Sequence, residues 1–536
     1  MKLNYIFLLS LILMAGFQSC SKDDVTGSKQ NPDSQESNFN YTSEKAHNLN
    51  VVYFIPNDVT EPADYHRRIS EILLNLQVFY STEMQRNGYG NKTFGLLKDD
   101  AKKRIKLIVV RGSQGKSAYP YNGGADAMIT DINNYKATHA TEFTSDHYLV
   151  ITPVTVDQNG NAEGEGVPFY GLGKFCFALD YANQDIKYLG VGGTSGEIAT
   201  KWIGGMVHEL GHGLNLPHNR QKFSSETTLG MALMWAGNST WGISKTFLTA
   251  ADCAVLNVNQ IFNNDNKAYY ETSTASISEI HANYDVAKGA IIVSGNYNSS
   301  LAVKDVLFFN DPNVNNEGTG VNRDYNAIAW TSKPVNSNSF YIEMPISDLE
   351  FKTDNIPYEL KVKLVQENGN VIETIYFYTF LNGKPVLNFS TRNEISKQGW
   401  SVASFSSEET SGEPAPNGLA VNLIDGNAAT YWHSNWSGTA ANYPHQFVID
   451  MGGSKIANGL TITQRSGLQR AIKDAELFTS LDGVNFISAG TYVFANTNGA
   501  QYFDFSASKT FRYFKIVAST SWDGEPFAAL GEIGMY

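Results

Sequence analysis

The sequence is poor in cysteine, in positive charge and in long apolar runs, and each shortage removes a class of protein. Three cysteines in 536 residues, Cys20, Cys176 and Cys253, cannot build a disulfide framework or a thiolate zinc site. Whether Cys176 and Cys253 pair with each other is open. Any bound metal must therefore be held by histidine and carboxylate. Lys and Arg total 40 against 53 Asp and Glu, a net charge of -13. A protein that tracks phosphates needs the opposite field, so nucleic acid is excluded as a partner. Apolar runs are short, and no solenoid-type repeat is present. What remains is a chain with 42% hydrophobic residues, 28 Tyr, 30 Phe and 46 Gly. That balance suits a strand-rich globular protein too long for one core.

The longest apolar stretch, Tyr5 to Phe17, follows the basic start Met1-Lys2 and is too short and too early for a stable membrane span. With Gln18-Ser19-Cys20 and the acidic pair Asp23-Asp24, it resembles a Bacteroidetes-type lipoprotein signal. The resemblance implies a signal peptide over 1–19, lipidation at Cys20 and an outward-facing place on the outer membrane or cell surface. The membrane would then be met only through that anchor; plain secretion with an unmodified Cys20 is the alternative. Residues 20–46 are rich in Ser, Asn, Asp, Gln and Lys and read as a disordered tether.

Three blocks follow. Over 47–271, β-branched runs at 49–55, 105–110 and 148–151 alternate with helical spacing such as Ile69, Ile72, Leu73, Leu76 and Phe79, which predicts an α/β layer with a largely parallel sheet. Over 272–394 the period falls to two, and Asn368-Gly369 between alternating runs predicts a type I′ hairpin in a small Ig-like β-sandwich acting as a spacer. Residues 395–536 are again all-β. The fold class is thus multidomain: an α/β domain followed by two β-sandwiches.

The chemistry concentrates in residues 208–218. His208 and His212 stand four apart, so a helix projects both imidazoles from one face, where they can grip one Zn²⁺. Glu209 sits beside the open position of such an ion and can take a proton from water there. His218 is beyond the reach of a continuous helix. The chain must turn, and Asn215 tolerates the left-handed conformation that a turn requires, with Pro217 holding the return extended. Three histidines and a glutamate in this register arise by chance in about one or two chains in ten thousand. Thr194 to Glu197 reads as a capping box for the helix, whose apolar face is Ile198, Trp202, Ile203 and Met206. His66, His139 and His147 read as packing or surface residues.

The run resembles the metzincin zinc peptidases, whose pattern is H-E-x-x-H-x-x-G-x-x-H, with Asn215 in place of the glycine. The resemblance implies one catalytic Zn²⁺ on His208, His212 and His218, with Glu209 as general base, and hydrolysis of peptide bonds. It also implies a methionine turn beneath the metal. Met231 and Met234 are both placed for it, and Leu233-Met234-Trp235 is nearer the family's turn.

The last block resembles the discoidin, or factor V/VIII C-type, jelly roll and its family 32 carbohydrate-binding modules. The resembling stretches are 422–433, 478–486, 512–516 and 529–533. The resemblance implies a structural Ca²⁺ on Asp425, Thr430 and Glu532, and a glycan site drawing on His433, Trp436, Arg465 and Trp522, with Trp432 in the core. Together these features imply a surface-anchored zinc endopeptidase acting on glycoproteins such as mucins. The alternative is a non-catalytic glycan-binding adhesin with a vestigial zinc site. The intact Glu209 discriminates, because a pseudo-enzyme does not need it.

Overall fold

The structure is a computed structural model and describes residues 39–154, 166–314, 324–354 and 356–536. Cys20 and the expected signal segment lie outside the described residues. Residues 39–46, expected to finish the tether, are instead held. Thr42 pairs with Lys98, the Asn40 amide donates to Asp99, and Phe39 packs edge-on to His66.

The first sheet runs in the order β2-β1-β3-β5-β4, with β1 Asn50–Ile55, β2 Ile108–Arg111, β3 Tyr148–Pro153, β4 Gly171–Leu172 and β5 Phe175–Asp180. The first four partners are parallel and the short outer strand β4 is antiparallel. Both β1 and β3 are buried along their whole length, as expected of strands covered on both faces. Helices α1 Tyr65–Arg86 and α3 Thr194–Gly213 bury Ile69, Leu73, Leu76, Ile203 and Leu210 in a core with Val51, Tyr53 and Leu149 of one sheet face. Helix α2 Gly124–Thr138 covers Val52, Phe54 and Val150 of the other.

Helix α3 enters differently from the sequence expectation. Thr194 is already its first residue and Gly193, at φ 86°, is the cap, with no side-chain capping bond. The capping box does not form because Thr194 lies one place inside the helix.

The middle block is a sandwich of antiparallel sheets. One has the order β6-β7-β10 (Ala275–Asp285, Ala290–Ser299, Ser339–Pro345). The other has the order β9-β8-β11-β12-β13 (Ile328–Ser332, Val303–Pro312, Tyr358–Gln366, Val371–Leu381, Lys384–Val386). In the β11–β12 hairpin only Gly369 takes positive φ, and Gln366 N–H donates to Asn370 O. This is a three-residue loop with glycine in the left-handed place, not the type I′ turn expected.

A larger departure concerns the sandwich as a spacer. Along β8, Val306 and Phe308 face the sandwich core, while Leu307 and Phe309 face the α/β core. Ala327, Ala329 and Val365 join them there. Strands β8, β9 and β11 are thus buried on both faces, and one hydrophobic core runs across the expected 271/272 boundary.

The C-terminal block has the order β14-β15-β18-β16-β17 (Ser401–Phe405, His445–Thr463, Ala500–Ala518, Asp474–Ser480, Ile487–Val493), and β19 Glu532–Met535 pairs with β15. Its core centres on Trp432, Phe447, Leu460 and Phe514. No helix among the described residues is long and apolar enough to cross a membrane.

Candidate active site

Helix α3 presents His208 and His212 one turn apart. The chain leaves it at Leu214 and turns at Asn215, whose φ of 69° is the left-handed conformation expected of it. That turn returns His218 to the same point. The ligand atoms of the three rings lie within 4.8 Å of one another, and His212 Nε2 is 3.1 Å from His218 Nε2.

Backbone carbonyls fix two of the rings. His208 Nδ1 donates to Leu233 O at 2.8 Å and His212 Nδ1 to Leu216 O at 2.9 Å. A carbonyl only accepts, so the proton sits on Nδ1 and the Nε2 lone pair faces the cluster. Burial pushes the His208 pKa down to about 3, with His212 adding to the effect, and burial also lowers His212. Three imidazoles whose ligand atoms converge, two of them held toward the neutral form, fit a tetrahedral zinc site with one place left for water or substrate.

Met234 is buried directly behind the helix. A Cβ on Gly211 would stand 2.4 Å from its Sδ, so this glycine is what admits the sulfur. Met231 lies half-buried in the short strand Met231–Ala232.

Glu209 opens into a cleft of about 680 Å³, shared with the three histidines, Gly171 and Tyr325. Burial pushes its carboxyl up to about 8, against the opposing hydrogen bond from the Gly171 amide. The outer strand β4 lies close over the site, since a Cβ on Gly171 would stand 2.2 Å from the His212 Cβ. Tyr121, Phe169 and Tyr170 line the same cleft, with Tyr121 and Tyr170 edge-to-face at 5.6 Å. None of these aromatics, nor Tyr325, was legible in the sequence, because each comes from a loop far from the motif. Cys176 and Cys253 are both free and buried.

In the C-terminal block, His433, Trp436 and Arg465 gather around a residue the sequence reading missed, Glu413. Its carboxylate is 3.8 Å from His433 Nε2, 3.5 Å from Arg465 Nη1 and 3.3 Å from Trp436 Nε1. The Arg465 guanidinium lies 4.1 Å over the Tyr431 ring, and the Trp436 ring is 42% exposed. Buried Glu409 anchors this loop. Burial opposes its ionisation, but Ser437 and the amides of Trp436, Ser437 and Ser411 outweigh that and hold its pKa far below the carboxylate range. Trp522 is elsewhere: its indole N–H donates to Phe494 O, and it lines a cavity with Phe380 and Leu381 of the sandwich.

Asp425, Thr430 and Glu532 do meet. Thr430 Oγ1 donates to Asp425 Oδ2 at 2.7 Å, and the Gly426 and Asn427 amides donate to Glu532 Oε1. The Lys397 ammonium, however, occupies the other Glu532 oxygen. With those lone pairs taken, the arrangement does not leave a cage of free oxygens for Ca²⁺.

Residues 403–533 match the F5/8 type C domain. The crystal structure of wild-type OgpA from Akkermansia muciniphila is 35% identical at a TM-score of 0.58, covering 66% of this chain and 98% of that one. A catalytically inactive OgpA in complex with an O-glycopeptide substrate, glycodrosocin, is likewise 35% identical at 0.58, covering 65% and 97%. Among curated proteins, a sialidase from Micromonospora viridifaciens is 36% identical over 138 residues, 25% of this chain. A galactose oxidase from Gibberella zeae is 30% identical over 149 residues, 26% of this chain. The chain spans about a fifth of the length of these two curated relatives. With OgpA matched over nearly its whole length, the chain belongs to the family of OgpA and carries an F5/8 type C domain besides.

Proposed function

We propose that the chain is a zinc endopeptidase that hydrolyses peptide bonds in O-glycosylated proteins, mucins among them. The observation that carries this reading is the convergence of three imidazoles beside Glu209, in a chain related to an enzyme crystallised with an O-glycopeptide.

His208, His212 and His218 would hold the ion. When bound, zinc supplies Lewis acidity toward a carbonyl oxygen and toward water. The rest falls to the chain. Glu209 accepts a proton from water in the cleft and returns it to the departing amine. The outer strand β4 offers an edge against which an extended peptide can lie. The aromatic side of the cleft, Tyr121, Phe169 and Tyr170, suits the apolar face of a sugar ring next to the scissile bond.

The C-terminal module would hold glycan between Trp436 and the polar groups of His433, Arg465 and Glu413. Weak capture of this kind raises substrate concentration at the cleft without new catalytic contacts. A calcium ion at Asp425, Thr430 and Glu532 would first have to displace Lys397. Lipidation at Cys20 would tether the enzyme to the cell surface, and the sequence blocks 47–271, 272–394 and 395–536 would be its metzincin-like, Ig-like and glycan-binding parts.

Mass spectrometry of mucin, deglycosylated mucin and casein digested by the wild type, by Glu209→Ala and by chelated protein tests the reading. Cleavage of the glycosylated substrate by the untreated wild type alone supports it. Equal cleavage in all three preparations removes the zinc mechanism, and none in any favours the adhesin.

A further inference from the structure

The sandwich sends one side chain into the cleft. Tyr325 lies just before strand β9, and its ring stacks on His218 with centroids 3.7 Å apart and planes 21° from parallel. We propose that Tyr325 is a positioning residue for the third histidine, so that the sandwich completes the metal site instead of merely spacing it. This rests on the zinc reading above and deepens it.

His218 needs such help. His208 and His212 ride on a helix, whereas His218 follows a left-handed turn. The chain just past it is tied down, and its ring is covered. Asn219 is buried and donates to Asp252 Oδ1 at 2.6 Å. The Arg220 amide donates to Ala327 O at 2.8 Å, joining the chain just past His218 to the edge strand β9 in a parallel bridge at Ile328. The Tyr325 ring covers the imidazole itself.

The loop that presents Tyr325 is pinned from behind. Asp324 is buried in a left-handed conformation, φ 66°, uncommon for a residue other than glycine. Its carboxylate pairs with the Lys361 and Lys363 ammonium groups, which Asp311 and Glu373 share from the same sheet. Both lysines are buried on β11. A buried, multiply paired carboxylate one residue before the stacking ring fixes where that ring can lie.

The test measures Zn²⁺ affinity of the full chain by competition with a chromophoric chelator, together with the rise in Tm on adding zinc. Tyr325→Ala should weaken zinc by about tenfold to a hundredfold and shrink the Tm rise, whereas Tyr325→Phe should stay within about threefold of wild type. Asp324→Asn should shift affinity in the same direction and add nothing when Tyr325 is already Ala. Should Tyr325→Ala not fold, Tyr325→Leu, which fills the space without a stacking face, takes its place with the same expected loss. Wild-type affinity in Tyr325→Ala or Tyr325→Leu overturns the inference, as does Tyr325→Phe behaving like Ala. If the wild type itself takes up no zinc, the peptidase reading falls and this inference with it. Tight wild-type binding with unaffected variants sinks the inference alone.

Discussion

The two polar clusters of this molecule are built in opposite ways. The histidine site comes almost entirely from eleven consecutive residues, 208–218, with His208 and His212 held toward the neutral form by burial and by carbonyls on their Nδ1 atoms. The cluster around Glu413 is assembled from residues 413, 431–436 and 465, and its groups are paired ions and hydrogen bonds at a half-open surface. The first favours a cation and a reacting bond, since converging lone pairs with no protons to lose bind metal. The second favours a neutral polyol, which can exchange hydrogen bonds with paired charges beside an exposed indole without desolvating a lone ion. The proposed reaction and the proposed capture thus sit on different electrostatic ground.

Four measurements bear on this contrast, beginning with the largest expected effect. Glu209→Gln should lower kcat on an O-glycopeptide by about a hundredfold to ten-thousandfold with zinc content unchanged. Retained activity, read beside metal analysis of the same sample, would end the assignment of Glu209 as base.

Acid should act next. His208 and His147 are buried and neutral, with pKa values lowered by burial to about 3 and about 4. Between those values and the ordinary imidazole pKa near 6.5 the unfolded chain binds protons that the native chain does not. Stability of the metal-free protein should therefore fall as pH drops from about 6.5 toward 4, and His147→Gln should flatten part of that slope in thermal melts. Glu209 acts with the opposite sign. Its raised pKa means the native chain keeps a proton the unfolded chain has lost, so its contribution weakens as pH climbs from about 4.5 through 8.

Packing behind the histidines gives a smaller effect. Gly211→Ala drives a Cβ toward the Met234 sulfur and should cost about 1–3 kcal/mol, readable as a lower Tm. Met234→Leu, with no change at Gly211, should cost about 1 kcal/mol or less.

The mildest expected change is in the module. Trp436→Ala or Arg465→Ala should raise KM on mucin several-fold, roughly the loss of local concentration, and leave turnover of a short glycopeptide untouched. Loss of turnover on the short peptide would mean that the two clusters are not separate functions.

How much of this was legible follows from how contiguous each part is. A helical period of 3.6 puts His208 and His212 together by itself, and Asn215 announces the turn that brings back His218. The parallel sheet was legible in its apolar runs because strands buried on both faces lose their alternation. The same feature at Leu307, Phe308 and Phe309 was present in the sandwich, and its double burial is what joins that sheet to the α/β core. Glu413 and Tyr325 carried no local signal. The contacts of Trp522 were not legible, because an indole in a loop serves equally as a sugar platform and as a wall between two sheets.

The primary structure by itself determined which groups could do chemistry, the α3 register that aligns two of them, and the jelly-roll segments of the last block, since local periodicity and turn propensity act over a few residues. Only the tertiary structure decided what stands opposite those groups: the Gly171 amide over Glu209, Lys397 on Glu532, and a tyrosine from the sandwich against His218. Such contacts join residues far apart in the chain and are selected by packing of whole sheets, for which no short stretch of residues carries the information.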